Sequence, residues 1–315
     1  MEVLVLGGGV SGLSCAVALL EAGHDVVVWA RQLPPHTTSN VAAAFWYPYR
    51  ADPPDRVLGW AKTSHARFVA LAEAEETGVS RTPAVELVAP AAAWPWWAAA
   101  VPSLRWARTD ELPPGAQAGL WFDGIVVDTR RYLEWLRERV VALGGVVTLR
   151  EVGDLREALA VRSVVVNCTG LGARELCDDR EVFPIRGQLV RVQDPGLAAV
   201  ILDERTAGEI TYLVPRGDDV VLGGTSEVGD EGLDVRPDAT AAILARCTAL
   251  APALAGAAVV AHVVGLRPGR STVRLEAERI AGGLVVHDYG HGGAGVTLSW
   301  GCAAEVVALV NAESP

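Results

Sequence analysis

The N-terminal segment constrains the fold more than any other part of this 315-residue chain. The residues EVLVLGGGVSGLSCAVALLEAGHDVVVWAR predict a strand, a turn, a helix ended by Gly23, and a second strand. Gly7, Gly9 and Gly12 form the pattern G-x-G-x-x-G directly after the first strand. In that place the glycines permit a tight turn, let a pyrophosphate approach the backbone and let the helix pack on the strand. The segment therefore predicts a Rossmann-like unit that binds a dinucleotide at the N-terminus of its first helix.

The glycine motif alone does not identify the dinucleotide. An acidic residue at the end of the second strand usually binds the ribose, but this place reads Ala30-Arg31-Gln32. Arg31 could accept the 2′-phosphate of NADP, or it could lie along the adenosine diphosphate part of FAD. Both cofactors stay open at this point.

Composition and charge exclude several classes of protein. The net charge of −11 argues against general nucleic-acid binding, which needs a basic surface. We see no apolar run of the length of a membrane span, and no basic region before the first apolar stretch, as a secretory signal would have. The five cysteines are scattered without metal-ligand spacing. We therefore expect free thiols, no metal, no membrane association and a cytoplasmic location.

The rest of the chain predicts two interleaved units of an α/β fold. A capped helix and returning strands follow residue 125, and β-like runs dominate from about 187 to 224. The chain closes with another strand, glycine turn and helix. We predict a Rossmann-like dinucleotide-binding lobe and a mainly antiparallel substrate-binding lobe. Their approximate bounds are 1–50, 125–180 and 280–315 for the first lobe, and 51–124 and 181–279 for the second.

Seven segments, taken together, resemble the D-amino-acid oxidases, a family of FAD-dependent amine oxidases that includes D-aspartate oxidases. The resemblance spans nearly the whole chain, in the family's order and spacing. It implies non-covalently bound FAD and an FAD-binding domain interleaved with the substrate domain. The segments are GGGVSGL (7–13), TTSNVAAAFWYPY (37–49), VVNCTGLGAREL (165–176), PIRGQLVRV (184–192), TYLVPRGDDVVLGGT (211–225), GLRPGRSTVRLE (265–276) and HDYGHGGAGVTLSWGCA (287–303).

The resemblance implies oxidative deamination of a D-amino acid. Hydride passes from the substrate Cα to N5 of the flavin, and the imino acid hydrolyses to a 2-oxo acid and ammonia. Molecular oxygen is the second substrate and gives hydrogen peroxide. The chain would bind neither nucleic acid nor membrane, and a homodimer stays open.

The resemblance also assigns the residues that hold the substrate. Arg274, in TVRLE, is expected to grip the carboxylate with two parallel hydrogen bonds, which a lysine cannot reproduce. Tyr212 is expected to donate a further hydrogen bond to that carboxylate, and the carbonyl of Gly293 to accept one from the amine. Arg267 and Arg270, from the same stretch, are expected to be surface or loop charges.

The predicted pocket for the substrate side chain is aromatic. Phe45 and Tyr47 would line it and favour neutral or apolar side chains. Arg205, seven residues before Tyr212, keeps a D-aspartate oxidase open, because a second arginine could bind a side-chain carboxylate; a solvated Arg205 is equally compatible with the sequence. Many family members have another tyrosine where this chain has Gly208, so we expect a different or more open lid.

The residues expected to contact FAD come from the glycine motif, the end of the second strand, the loop after it and the last glycine turn. His291 is expected to have a structural role. A glycine oxidase and, from Arg31 alone, an NADP-dependent dehydrogenase are further alternatives. The expected FAD contacts are Gly7, Gly9, Val10, Ser11, Gly12, Arg31, Thr37, Thr38, Ser39, Ala43, Ala44, Gly170, Gly292, Gly293, Gly295, Val296 and Thr297.

Overall fold

A computed structural model describes residues 1–48, 51–206 and 210–312. The strands in these ranges are β1 (Glu2–Leu6), β2 (Asp25–Ala30), β3 (Val79–Leu87), β4 (Arg105–Trp106), β5 (Gly119–Val127), β6 (Val146–Leu149), β7 (Val164–Asn167), β8 (Phe183–Gln193), β9 (Val200–Asp203), β10 (Thr211–Pro215), β11 (Asp219–Gly223), β12 (Glu227–Val228), β13 (Val259–Gly269), β14 (Arg274–Ile280) and β15 (Gly283–Tyr289). The α-helices are α1 (Val10–Glu21), α2 (Thr38–Val41), α3 (Pro54–Leu71), α4 (Thr129–Ala142), α5 (Leu155–Leu159), α6 (Ala173–Leu176), α7 (Pro237–Leu250) and α8 (Gly295–Ala312).

A six-stranded sheet carries the N-terminal glycine motif. Its strand order is β14-β15-β7-β1-β2-β6, and all neighbours except β14 and β15 are parallel. Side chains of β1 alternate between two apolar clusters, with Val3 and Val5 in the cluster of α1 and α8, and Leu4 and Leu6 in the cluster of α5. A strand buried on both faces is typical of a parallel sheet covered by helices. The predicted Rossmann-like unit is confirmed.

A nine-stranded sheet forms the second unit. Its order is β12-β8-β11-β10-β9-β3-β5-β4, with β13 on the other side of β8, and only β3 and β9 pair in parallel. In β10, Tyr212 and Val214 face the main core, whereas Leu213 faces the cluster under α7. One face of this sheet therefore packs against α7, and the other face looks toward the first unit. The predicted α/β class with a mainly antiparallel second sheet is confirmed.

The boundaries between the units differ from the predicted ones in two places. The strand β14 pairs with β15 in the six-stranded sheet, so 274–279 do not belong with the substrate lobe. The helix α3, also predicted in that lobe, packs on α8. Sequence periodicity identifies such elements, but it does not show which sheet or helix they join.

The last helix, α8, is long and apolar enough to cross a membrane by length and composition. The sequence reading did not anticipate this. Half of α8 is buried within the structure, and it packs against α1 and α3. Gly301 lies so close to the backbone of Trp60 that a Cβ there would overlap it. Within the described fold α8 is a core helix.

Candidate active site

The glycine motif forms a cradle at the start of α1. A Cβ at Gly12 would overlap the carbonyl of Gly7, and a Cβ at Gly7 would overlap the carbonyl of Cys168. A Cβ at Gly9 would meet only the Oγ of Ser39, at 3.0 Å. No side chain caps α1 through its N-cap residue, Gly9. The residues present thus fit a pyrophosphate, because the glycines place no side chain where a phosphate would approach the positive end of the helix.

The loop after β2 lies directly beside this cradle. The Ser39 Oγ accepts a hydrogen bond from the backbone N–H of Val10 at 3.0 Å. Thr37 is the N-cap of α2, the helix that contains Thr38 and Ser39. Arg31 follows the end of β2 with a largely exposed side chain, 3.6 Å from Glu151. These placements agree with contacts to the ribose and phosphates, which stay predictions.

The remaining expected FAD contacts lie where the two sheets meet. The N–H of Gly292 donates to the carbonyl of Pro268 at 2.8 Å, and Gly170 also lies next to Pro268. The Thr297 hydroxyl, near the start of α8, donates to the carbonyl of Tyr47 at 2.9 Å. Other members of the group are Ala43 and Ala44, which precede the bridge between Phe45 and β5, Gly293, which is exposed in the turn, and Gly295 and Val296, which begin α8.

Tyr212 lies across two glycines of its own sheet. It pairs with Gly223 on β11, and a Cβ at Gly223 would overlap the Tyr212 ring. A Cβ at Gly224 would lie 2.8 Å from the Tyr212 hydroxyl. The ring therefore crosses β11 on the face that looks toward the first unit, and only glycine leaves room for it.

Arg267 approaches the same place from the other side. Its strand, β13, pairs with β8, and a Cβ at Gly187 of β8 would lie 2.6 Å from the Arg267 Cζ. The Nη1 of Arg267 donates to the carbonyl of Thr225 at 3.1 Å. Gly187 shares its face of the sheet with Leu189, which packs in the same core as Tyr212. Arg267 and Tyr212 therefore converge on one site, and the prediction that Arg267 is a surface or loop charge was wrong.

Arg274 lies elsewhere, which contradicts the prediction that it binds the substrate carboxylate together with Tyr212. Its neighbour Leu275 points into the main core, and alternation along β14 turns Arg274 to the opposite face of the six-stranded sheet. Its guanidinium is already engaged there. It donates to Glu276 at 2.7 Å, to the hydroxyl of Tyr289 at 2.8 Å and to Glu278 at 2.9 Å.

The two other arginines considered for the site are also bound to acidic partners. Arg270 donates to Asp179 at 3.0 Å, in line with its predicted role as a loop charge. Arg205 makes two hydrogen bonds to Asp203, at 2.8 and 2.9 Å. Asp203 pairs with Thr211 rather than Tyr212, so it lies on the face of the sheet away from Tyr212. The structure thus contradicts Arg205 as a substrate-binding residue, and Gly208 lies outside the described residues.

The two aromatic residues predicted to line the side-chain pocket lie together, beside an acidic residue that the sequence did not predict for the site. Phe45 stacks on Tyr47 with ring centroids 6.4 Å apart, and Trp97 packs edge-on against Tyr47 at 5.7 Å. The Tyr47 hydroxyl donates to the Oε1 of Glu86 at 3.0 Å. Burial raises the pKa of Glu86 to about 7 and, as the largest cause, raises that of Tyr47 as well. The signal available for Glu86 was an acidic residue in the apolar run AVEL at the end of β3.

His291 belongs to a buried polar cluster below the glycine turn. Its Nε2 lies 3.0 Å from Asp288, whose other oxygen lies 3.4 Å from the thiol of Cys15. Cys168 and Cys302 complete two groups with the spacing of metal ligands. The thiol pKa values of Cys15 and Cys302 are raised well above their usual range, mainly by a hydrogen bond to Cys168 for Cys15 and by burial for Cys302. Protonated thiols do not favour a metal ion.

The fold and the cradle define a dinucleotide-binding protein with a second, mainly antiparallel sheet. A family model described as DAO, FAD dependent oxidoreductase, matches residues 2–309. The chain belongs to this family of FAD-dependent oxidoreductases, and FAD is its cofactor.

Two relatives and one solved structure place the chain more closely. It is 51% identical to a D-amino-acid oxidase of Rubrobacter xylanophilus, over 99% of this chain and 96% of the relative. It is 46% identical to a D-amino-acid oxidase of Streptomyces coelicolor, over 98% and 97%. A glycine oxidase structure from Geobacillus kaustophilus superposes with a TM-score of 0.81, covering 99% of this chain and 95% of that one. At 21% identity this last likeness supports the fold alone.

Proposed function

We propose that this protein oxidises D-amino acids, with FAD as electron acceptor and O2 as the second substrate. One observation carries the proposal: Arg267 and Tyr212, from strands on either side of β8 and β11, converge where Pro268 contacts the last glycine turn. A guanidinium with a nearby phenol is a fitting site for an α-carboxylate. The full-length identity to two D-amino-acid oxidases supports the D configuration of the substrate.

The protein's own groups bind and orient the substrate. Arg267 and Tyr212 hold the α-carboxylate, and the exposed Gly293 in the adjacent turn offers its carbonyl to the amine. Phe45 and Tyr47, with the buried Trp97 packed behind Tyr47, exclude water from the reacting carbon. When bound, FAD would accept two electrons from the amino acid and pass them to O2. The overall balance is D-amino acid, O2 and water giving 2-oxo acid, ammonia and hydrogen peroxide.

The alternative of a D-aspartate oxidase lacks its expected residue. Arg205, which was to bind a second carboxylate, is held by Asp203 on the other face of the sheet. The described pocket presents Glu86 instead, and a carboxyl there disfavours an acidic side chain. We therefore do not propose D-aspartate as the main substrate.

A peroxide assay over a panel of D-amino acids, with the L-isomers as controls, tests the function. We expect peroxide and 2-oxo acid from neutral D-amino acids and no product from L-isomers. Oxidation of L-isomers or of NADPH alone, without turnover of any D-isomer, would reject the proposal.

We also propose that the enzyme works in the cytoplasm. Its five cysteines are free thiols in the described structure, which agrees with a reducing compartment. Recovery of the activity in a membrane or secreted fraction of the source cells would count against this location.

A further inference from the structure

Glu86 lies in one row with the proposed carboxylate site. It pairs with Leu202 on β9, and Leu202 pairs with Tyr212 on β10. Residues directly opposite each other on neighbouring strands share a face of the sheet. Glu86, Leu202 and Tyr212 therefore all point toward the first unit, and Glu86 lies at the end of the row remote from Arg267.

Among the residues that the structure describes, one oxygen of the Glu86 carboxyl has a hydrogen-bond partner and the other has none. The Oε1 accepts the hydrogen bond from the Tyr47 hydroxyl at 3.0 Å. The Oε2 is fully buried and has no hydrogen-bond partner among the residues that the structure describes. A buried polar atom without a partner is costly, so such an atom in a substrate pocket is a candidate acceptor for a substrate group. The Tyr47 bond fixes which way this acceptor faces.

We propose that Glu86 binds the positive end of the substrate side chain, so that D-amino acids with a long cationic side chain are a preferred substrate class. This inference rests on the proposed function and on the placement of the α-carboxylate at Arg267 and Tyr212. It revises the expectation, drawn from Phe45 and Tyr47 alone, that the pocket favours neutral or apolar side chains. Tyr47 acts as a positioning residue for Glu86.

The distance along the row suits such a side chain. Neighbouring strands are about 4.8 Å apart, so the three steps from Glu86 across β9 and β10 to Gly223, under the Tyr212 ring, cover roughly 14 Å. The side chains of a lysine and of Glu86, extended toward each other, span this gap. The aromatic ring of Tyr47, which packs against the buried Trp97, would lie along the methylene groups between the two charged ends.

The electrostatics around Glu86 agree with this assignment. The pKa of Glu86 is raised to about 7, mainly by burial; the Tyr47 hydrogen bond opposes this rise, and the negative charge of Glu204 adds to it. An ammonium or guanidinium next to the Oε2 would favour the ionised carboxylate and form a charge-assisted hydrogen bond. A substrate with an acidic side chain would instead meet a like charge.

Paired substrates that differ in one charged group test the role of Glu86. The measured quantity is the ratio of kcat/KM for D-lysine to that for D-norleucine, in the FAD-loaded enzyme. We expect Glu86→Gln to lower this ratio about tenfold or more, because the neutral amide loses the charge-assisted bond. Tyr47→Phe should lower it less, since the carboxylate persists without its orienting bond. Glu134→Gln, which alters a partly exposed glutamate paired with Arg137 on α4, should leave the ratio unchanged.

The pH dependence separates this role from a purely structural one. In the unaltered enzyme the ratio should rise as pH increases through about 7, because Glu86 loses its proton there. In Glu86→Gln the ratio should not change over that range. The α-amines of D-lysine and D-norleucine titrate over a similar pH range, so their effect largely cancels in the ratio. The remaining pH dependence therefore reflects mainly the ionisation of Glu86.

A binding measurement completes the test without turnover. Dissociation constants for 6-aminohexanoate and for hexanoate can be read from the change in flavin absorbance. We expect the amino compound to bind more tightly than hexanoate only when Glu86 is present. Suppose that neutral D-amino acids are oxidised, but Glu86→Gln changes neither the kcat/KM ratio of D-lysine to D-norleucine nor the ratio of the two dissociation constants. This inference is then overturned and the proposed function stands. If no D-amino acid is oxidised, the proposed function itself fails.

Discussion

Arg267 and Tyr212 reach toward each other from β13 and β10, and each side chain crosses the intervening strand over a glycine. Arg267 passes Gly187 on β8, and Tyr212 passes Gly223 on β11. A side chain at either glycine would overlap the residue that passes it. The site that we propose for the carboxylate is therefore built by two long side chains and by two glycine positions that leave room for them.

The first prediction concerns the arginine of this pair. Arg267→Ala should lower kcat/KM for D-amino acids by about a hundredfold or more, because it removes a charge-assisted bond from a site sheltered from water. Arg267→Lys should recover little, because an ammonium does not reproduce the planar fork. Steady-state peroxide assays give both values. Near-normal activity of Arg267→Ala with retained FAD would show that another group binds the carboxylate.

The second prediction concerns Arg274, whose three hydrogen bonds join Glu276, Glu278 and Tyr289. Arg274→Ala should lower the free energy of unfolding by about 1–2 kcal/mol, since the network is only partly exposed to solvent. It should change kcat/KM far less than Arg267→Ala does. Chemical denaturation of the FAD-bound protein provides the first value. A severe loss of kcat/KM at unchanged stability would restore Arg274 to the substrate site.

The two arginines show what the sequence could and could not predict. The glycine motif, the strand and helix patterns and the family resemblance were sufficient for the fold class, whereas the role of Tyr212 stays a prediction. The segment from Gly265 to Glu276, however, leaves one sheet after Gly269 and enters the other at Arg274. The local sequence pattern does not reveal that change of sheet. Arg274, the arginine predicted from the sequence to bind the carboxylate, therefore lies in the six-stranded sheet and away from Tyr212. Glu86 was missed for a related reason, because its neighbours Leu202 and Tyr212 are brought together only by strand pairing.

The third prediction tests the space under Arg267. A methyl group at Gly187 would lie 2.6 Å from the Arg267 Cζ, and the flexible end of that side chain would have to move. Gly187→Ala should therefore raise KM about tenfold by displacing the guanidinium, with FAD still bound. Gly59→Ala in α3 is the matched control, because its Cβ would meet no atom within 4 Å. That variant should keep its KM and gain about 0.5–1 kcal/mol of stability from the better helix former.

The fourth prediction tests the dinucleotide cradle. Gly9 has a φ of −86°, which alanine adopts freely, and its Cβ would touch only the Ser39 Oγ. Gly9→Ala should therefore fold but bind FAD weakly, because the methyl group occupies the approach of the pyrophosphate. The ratio of flavin to protein absorbance, with circular dichroism for the fold and Gly59→Ala as control, provides the comparison. If the variant retains stoichiometric FAD, the prediction that the pyrophosphate binds next to Gly9 is wrong.

Non-covalent binding has its own readout in the unaltered protein. Denaturation should release intact FAD, detectable by mass spectrometry beside an unmodified polypeptide. Flavin that stays attached to the chain would contradict the predicted mode of binding.

The last prediction uses the pH dependence of stability to probe Glu86 without any substrate. Its pKa is about 7 in the folded protein and 4.5 in a model peptide, so between these values the folded state holds a proton that the unfolded state has lost. The stability contributed by this group therefore falls by about 3 kcal/mol as pH rises from about 4.5 to about 7. Glu86→Gln removes this penalty, because the amide does not ionise and its oxygen can still accept the Tyr47 hydrogen bond.

The measured quantity is the free energy of unfolding of each variant minus that of the unaltered protein. For Glu86→Gln this difference should increase as pH rises from 5 to 8, whereas for Glu134→Gln it should show no such trend in the same denaturation series. A stability difference that stays constant from pH 5 to pH 8 would mean that Glu86 is already ionised in the folded pocket.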